Sequence, residues 1–209
     1  MKELKNYLNI INESEILSTN DLGLSKQDLE NIEKELSKYE GKIMDVKYSI
    51  SNLDDVNNKD IPLGTIETFA MKKEIEHVYG HALEGLITHG IIKTIADYLK
   101  SLDNSVKYNI TGLDGIIKYN DIEFPVEIKT SKNDLSKTGT TANHGRGIHI
   151  NSNKQYNKLK EGALLIFINY NFLENNFGGI QIKKIYVRTS NLIEVSNNKK
   201  FITKINNPK

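Results

Sequence analysis

Apolar residues recur every three or four positions between residues 25 and 40, which is the spacing of a helix that buries one face. The stripe consists of Leu29, Ile32, Leu36 and Tyr39. Ser25 stands where a helix N-cap is expected, and Asp28 follows three residues later, close to a capping box. Gly41 comes after the last apolar position and marks an end. The pattern predicts a helix over this segment.

A longer helical stretch is expected from about Thr65 to Leu102, after a turn-rich connector. Gly80, Gly85 and Gly90 interrupt it, and glycine disfavours a helix interior. One helix and two helices are therefore both compatible with this stretch.

Three strands are predicted next. Residues 106–110 (VKYNI) and 115–119 (GIIKY) are rich in β-forming side chains, and Asn120-Asp121 is a good pair for a tight turn. Residues 122–130 (IEFPVEIKT) alternate strictly, so that the apolar side chains at even positions face the core and Glu127 and Lys129 face the other way.

The remaining pattern completes a mixed fold. After a polar segment at 131–152, a short helix is predicted at 152–162, a buried strand at 163–170 (ALLIFINY) and a further strand at 180–188. The order from residue 65 onward is helix, three strands, helix, strand, which is an α/β or α+β arrangement with a mixed sheet. The first 60 residues are expected to pack onto it as helices.

Composition limits the class of protein. A chain of 209 residues forms one domain of ordinary to large size. It has no apolar run near the roughly 18 residues of a transmembrane helix, and its charged first residues do not resemble a signal peptide. Without Cys it has no disulfide, thiolate zinc site or cysteine nucleophile. Lys outnumbers Arg 26 to 2, which with abundant Asn and Ile indicates a bacterial, archaeal or phage genome rich in A/T. We expect a cytoplasmic protein with no membrane association.

Charge is distributed unevenly along the chain, although the net charge is only +1. Residues 1–60 carry 8 basic and 13 acidic side chains, whereas residues 129–160 carry 7 basic side chains and one acidic. Residues 180–209 repeat the ratio of 7 to 1. A basic second half can follow the backbone of a polyanion even when the whole chain is near neutral.

Two carboxylates and a lysine make up the candidate chemistry. Asp114 opens the second predicted strand of the block, and the turn at 120–121 folds that strand back so that Asp114 comes near Glu127. Two converging carboxylates can hold a hard divalent cation such as Mg²⁺. Lys129 points to the same side as Glu127, and its ammonium can position a water and offset charge developing at phosphorus. These residues predict metal-dependent phosphodiester hydrolysis.

The segments GLDGII (112–117) and VEIKT (126–130), set between a helical segment and a helix followed by an apolar strand, resemble the PD-(D/E)xK nuclease superfamily. Asp114 matches the first acidic residue of that motif, Glu127 the second and Lys129 the lysine, whereas Leu113 stands where the motif has Pro. The resemblance implies a restriction-endonuclease-like core of helix, three strands, helix and strand, with a mixed central sheet and added N-terminal helices. We expect a helical region at 1–62 and a nuclease core at 63–209, together one compact domain. The resemblance also implies that Asp114, Glu127 and the carbonyl of Ile128 bind Mg²⁺, for which Mn²⁺ is expected to substitute.

Members of this superfamily often add an acidic residue from the preceding helix, and Glu84 is the candidate here, with Glu76 as the alternate. His77, His81 and Glu84 fall on one polar helical face, so a zinc site and a solvated surface remain open alternatives. The zinc-hydrolase pattern HExxH is absent.

The loop at 131–155 is the candidate DNA interface. Its lysines and hydroxyls suit phosphate contacts, and its arginine, asparagines, histidines and glutamine suit base or backbone contacts. The candidate residues are Ser131, Lys132, Lys137, Thr138, Asn143, His144, Arg146, His149, Asn151, Asn153, Lys154 and Gln155.

These observations together predict a type II restriction endonuclease that cuts double-stranded DNA to 5′-phosphate and 3′-hydroxyl ends. The chain has no GxxxxGK[ST] phosphate loop, so no translocating ATPase is expected within it. We expect a homodimer that matches a palindromic site, and a cognate DNA methyltransferase in the same system that is not a bound partner. The alternatives are a Holliday-junction resolvase, a phage exonuclease, a non-catalytic DNA-binding module and a structural protein built on the acidic N-terminal helices.

Overall fold

The computed structural model of the protein describes residues 14–45, 69–111, 114–131, 148–150, 152–173, 179–199 and 201–208. At the ends of several of these segments it describes the backbone alone, which applies to Asp114, to residues 69–82 and to His149. The described chain is mixed α/β, as the sequence predicts, with three α-helices and ten strands. The helices are α1 (Lys26–Leu36), α2 (Phe69–Leu102) and α3 (Asn153–Lys160). The strands are β1 (Ser14–Ile16), β2 (Ile43–Asp45), β3 (Lys107–Thr111), β4 (Asp114–Tyr119), β5 (Ile122–Ser131), β6 (Ile148–His149), β7 (Leu164–Phe172), β8 (Gly179–Thr189), β9 (Ile193–Ser196) and β10 (Phe201–Ile205).

The helices form where the apolar spacing places them. In α1 the capping box is confirmed, because Ser25 Oγ accepts from the Asp28 backbone N–H at 3.1 Å and Asp28 Oδ2 accepts from the Ser25 N–H at 2.9 Å. α1 buries Leu29, Ile32 and Leu36 of its predicted stripe. The fourth member, Tyr39, is half-buried and lies in a 3-10 turn that precedes Gly41, which has a φ of +77°. α2 runs through all three of its glycines as one helix, so the one-helix alternative is confirmed.

The larger sheet has six strands in the order β2-β8-β7-β5-β4-β3. β5 and β7 run parallel, and the other neighbours pair antiparallel. The turn between β4 and β5 is confirmed at Asn120 and Asp121, whose φ values of 50° and 60° are those of a two-residue hairpin turn. α3 lies in the connection between the parallel strands β5 and β7, which cannot be joined by a hairpin.

A second sheet, in the order β1-β9-β10-β6, is antiparallel throughout. The sequence does not predict its strands. The expectation that the N-terminal region packs on as helices holds for α1 but is wrong for β1 and β2. These two segments are strands because they pair with the distant strands β9 and β8.

Two apolar cores lie on opposite faces of the larger sheet. The first packs α1 and α2 against β4, β5, β7 and β8. The second packs α3 and the smaller sheet against β7, through side chains that include Tyr156, Leu159, Leu165 and Phe167. The predicted core face of β5 is confirmed at Phe124, Val126 and Ile128, which are buried in the first core. Among the described residues, none of the helices is both long and apolar enough to cross a membrane.

Candidate active site

Glu127 and Lys129 lie on the face of β5 that looks toward α3. They alternate with Val126 and Ile128, which belong to the core under α2. Their register partners on β7 are Leu165 and Phe167, which belong to the core under α3. Glu127 is 5% exposed and Lys129 is 8% exposed. The predicted shared face is therefore confirmed, and it is an almost enclosed polar site beside an apolar core.

The carboxylate of Glu127 is held by three side chains. Lys129 Nζ lies 3.1 Å from Glu127 Oε1, and Lys158 Nζ lies 3.6 Å from Oε2. The side-chain amide of Gln155 donates a hydrogen bond to Glu127 Oε1. Two ammonium groups and an amide therefore pair with this carboxylate, whose burial without partners would be costly.

α3 brings Gln155 and Lys158 to this site. Ser152 caps the helix by accepting from the Gln155 N–H at 3.1 Å, and Tyr156 and Leu159 are buried in the core beneath. Gln155 and Lys158 each precede one of these anchors, so they sit three positions apart on the neighbouring strip of the helix. Tyr156 also donates from its hydroxyl to Glu15 Oε1 at 3.1 Å. Burial, with the carboxylate of Glu15 as a smaller cause, raises the pKa of Tyr156, so the phenol stays protonated.

Asp114 begins β4, one residue beyond the last pair of that strand with β5. Gly115 pairs with Val126 in the antiparallel register of β4 and β5, and the next step of that register would set Asp114 against Glu127. The predicted proximity of Asp114 and Glu127 follows from continuing this register and stays a prediction. The side chain of Asp114 lies outside what the structure describes.

The carbonyl of Ile128 is directed toward the same corner. In a two-residue hairpin the residues flanking the turn, here Tyr119 and Ile122, form a hydrogen-bonded pair. Every second residue of β5 after Ile122 then turns its backbone groups toward β4, and Ile128 belongs to this set. Because β4 begins at Asp114, this carbonyl points to the place where that strand starts.

Glu84 lies on the opposite face of the sheet from Glu127. It is on α2, and its Oε1 accepts a hydrogen bond from Thr130 Oγ1 at 3.1 Å. Thr130 follows Lys129 on β5 and faces α2, as Ile128 does. The structure thus brings Glu84 to the end of β5 from the helix side. The side chains of Glu76, His77 and His81 lie outside the described part of α2.

The predicted DNA-contacting residues divide into three groups. The first group has described side chains. Ser131 ends β5, where its carbonyl accepts a hydrogen bond from Asn169 Nδ2 at 3.2 Å. Asn153, Lys154 and Gln155 form the first turn of α3, and Asn153 and Lys154 are exposed. His149 is described by its backbone alone, which pairs with Phe201. The residues outside the described chain are Lys132, Lys137, Thr138, Asn143, His144, Arg146 and Asn151.

The described side chains alone do not make a metal cluster. No group of three or more His, Asp or Glu side chains that could hold a metal ion is found among those the structure describes. Glu127 and the Ile128 carbonyl are oxygen donors of the kind that Mg²⁺ prefers, and they lie at the corner where β4 starts. This donor chemistry fits a magnesium ion, provided that Asp114 supplies its carboxylate there.

Lys158 is the residue of the site that the sequence does not predict. The helical pattern of α3 nevertheless indicates its position, because Lys158 follows Gln155 by three positions and precedes the buried Leu159. Such a position at the edge of an apolar stripe faces the neighbouring element.

Comparison of the chain with protein-family models, curated proteins and solved structures gives no match in any of the three.

Proposed function

We propose that this protein is a Mg²⁺-dependent endonuclease for double-stranded DNA, and more finely a type II restriction enzyme. The observation that carries the proposal is the corner formed by β4 and β5. There the register of the two strands, continued by one residue, would set Asp114 against Glu127, and Lys129 is ion-paired to Glu127 at 3.1 Å. Two carboxylates and a lysine at one corner of a sheet suit metal-assisted hydrolysis of a phosphodiester.

The order of elements supports the same proposal. α2 is followed by three antiparallel strands, then, after the short β6 of the other sheet, by α3 and by β7, which is parallel to the third strand of the block. This is the helix, three strands, helix and strand order that the PD-(D/E)xK resemblance implies. A restriction-endonuclease-like core is therefore part of the proposal.

Each residue has a proposed role. Asp114, Glu127 and the Ile128 carbonyl would hold Mg²⁺, with Mn²⁺ able to substitute. Glu84, which lies across the sheet from Glu127, would join them only past the end of β5, where it contacts Thr130. The bound ion would supply Lewis-acid activation at the phosphate. Lys129 orients the attacking water and stabilises the negative charge that develops at phosphorus, leaving 5′-phosphate and 3′-hydroxyl ends.

The test is incubation of the purified protein with plasmid and phage DNA, in Mg²⁺ and in EDTA. We expect discrete fragments in Mg²⁺, none in EDTA, and none with Lys129→Ala or Glu127→Gln. Glu123→Gln is the matched control, because Glu123 lies on the same face of β5 but is exposed and pairs with Lys118 in the register. This control variant should cut like the unmodified protein.

Other outcomes decide against parts of the proposal. A smear would contradict sequence-specific cutting, while cutting of branched or free-ended DNA alone would indicate a resolvase or an exonuclease. Duplex binding without any Mg²⁺-dependent turnover would identify a DNA-binding module. Undiminished cutting by Lys129→Ala would refute the role of that lysine.

A further inference from the structure

We propose that Lys158 is the residue of this site that binds the DNA backbone phosphate, an inference that rests on the proposed function. In the described structure it contacts Glu127, and on substrate binding its ammonium turns to a phosphate oxygen. Lys129 then stays with Glu127. The two lysines of the site thereby have different tasks, one toward the substrate backbone and one toward the reacting water.

Exposure separates the two lysines. The side chain of Lys129 is 9% exposed and projects from the interior of the sheet, so it lies away from the backbone of a duplex bound at the surface and would meet only the scissile phosphate that enters the site. The side chain of Lys158 is 30% exposed and is carried by a helix at the rim of the site. A flexible four-carbon stem then lets its ammonium move between a buried carboxylate and a bound phosphate.

The two lysines also differ in their distance from the carboxylate of Glu127. Lys129 Nζ lies 3.1 Å from Glu127 Oε1, which is a hydrogen-bonded ion pair. Lys158 Nζ lies 3.6 Å from Oε2, beyond the usual range of such a bond. The looser contact costs less to exchange, and Glu127 keeps Lys129 and Gln155 when Lys158 moves away.

The surroundings of Lys158 favour an anion. The eight residues of α3 include Lys154, Lys158 and Lys160 but no acidic residue. A fourth lysine reaches the helix from the turn between β9 and β10, since Lys199 Nζ lies 5.1 Å from the ring centre of Tyr156. Clustered lysines on one element provide the phosphate contacts that position a duplex without reading its sequence.

The test measures binding without catalysis, by fluorescence anisotropy with a labelled duplex of random sequence in EDTA over a range of salt concentrations. Each phosphate contact contributes about 0.9 to the slope of log K against log salt concentration. We expect Lys158→Met, which keeps the aliphatic stem, to lower that slope by about one unit. Lys158→Arg, which keeps the charge, should retain it.

Two lysines serve as controls. Lys93→Met removes an exposed lysine from α2, on the other side of the sheet, and Lys129→Met removes the buried partner of Glu127. Both should keep the slope of the unmodified protein. Thermal melting of each variant identifies the temperature range in which all are folded, and Lys158→Gln is a second neutral variant for use if Lys158→Met does not fold.

The outcomes separate this inference from the proposed function. If the unmodified protein binds the duplex and Lys158→Met keeps its slope, Lys158 does not bind phosphate and the proposed nuclease function still stands. An equal loss of slope in Lys129→Met would contradict the assignment to Lys158 in particular. If the unmodified protein shows no salt-dependent binding to DNA, both proposals are overturned.

Discussion

Glu127 is the residue on which the ionic contacts of the site converge. Its carboxylate contacts Lys129, Lys158 and Gln155, and it is 5% exposed. A buried ion pair is costly to break from one side, because the charge that remains has lost both water and its partner. The two sides of this cluster are not equivalent, since two ammonium groups contact one carboxylate.

Removing the charge of Glu127 is therefore expected to destabilise the fold more than removing that of Lys129. Glu127→Gln leaves the buried Lys129 ammonium without this carboxylate, and we expect a loss of unfolding free energy of about 3 kcal/mol. Lys129→Met leaves Glu127 with Lys158 and Gln155, so the loss should be smaller. Urea unfolding of both variants, with Glu123→Gln as the exposed control, measures the difference. An equal or larger loss for Lys129→Met would contradict this account.

The alternation of apolar and polar residues along β5 predicts that Glu127 and Lys129 lie together, but not the residues that surround them. A period of two is enough to place Glu127 and Lys129 on one face of β5. It does not say that this face is covered, because the cover comes from α3 and from a sheet whose strands are distant in the chain. The position of Lys158 beside the buried Leu159 indicates that it faces a neighbouring element, but only the tertiary packing identifies Glu127 as its partner.

At the scale of elements, a glycine lets α2 approach the strand that begins with Asp114. Gly115 is the second residue of β4, and a Cβ at this position would lie 3.0 Å from Ile92 Cγ1 and closer still to Ile92 Cδ1. Ile92 is fully buried on α2, so it has little room to move. α2 and β4 can therefore pack this closely because Gly115 has no side chain.

Gly115→Ala is expected to overpack this contact and to cost about 1–3 kcal/mol of unfolding free energy. Ile92→Val removes the nearest methyl group and should recover part of that loss, so the two substitutions should couple in a double-mutant cycle. Urea unfolding of the single and double variants measures the coupling. Strictly additive effects would show that the contact does not limit the approach of α2 to β4.

Elements of sufficient length are predictable from this sequence and short ones are not. The α1 stripe and the β4–β5 hairpin carry several residues of periodic pattern with a cap or turn signal, and β7 lies in a long apolar run. β1 has three residues and β6 has two, which is too short for a period of two to be detected. β1 is a strand because β9 offers it an edge, with Ser14 opposite Ser196.

At the scale of the whole molecule, the N-terminal part closes an edge of the larger sheet. β2 pairs with β8 only at Gly179–Gln181. Farther along β8, glutamates take the place of a strand: Glu40 Oε1 accepts from the Ile185 N–H at 3.1 Å and Glu33 Oε2 accepts from the Val187 N–H at 3.0 Å. Carboxylates that occupy an edge in this way also block its pairing with another chain.

Arg188 ties this closure to the C-terminal segment. Its Nη1 donates to Glu33 Oε2 at 2.9 Å, its Nε to the Asn206 carbonyl at 3.0 Å and its Nη2 to Asn207 Oδ1 at 3.0 Å. The residue is 7% exposed. One planar guanidinium thus joins α1, β8 and the residues after β10. The ammonium of a lysine could not donate hydrogen bonds in all of these directions.

Arg188→Met is therefore expected to lower the unfolding free energy by about 3 kcal/mol. The substitution takes the guanidinium away from the partly buried Glu33 carboxylate and removes three links between distant segments. Arg188→Lys should recover only part of this loss. Lys184→Met is the matched control on the same strand: Lys184 lies 3.1 Å from Glu40, but it is 44% exposed, so solvent screens the pair and the cost should stay below about 1 kcal/mol. Urea unfolding of the three variants measures the contrast. Equal losses for Arg188→Met and Lys184→Met would mean that the enclosed arginine adds no more stability than a surface ion pair, and the closure of β8 would then depend on its apolar packing.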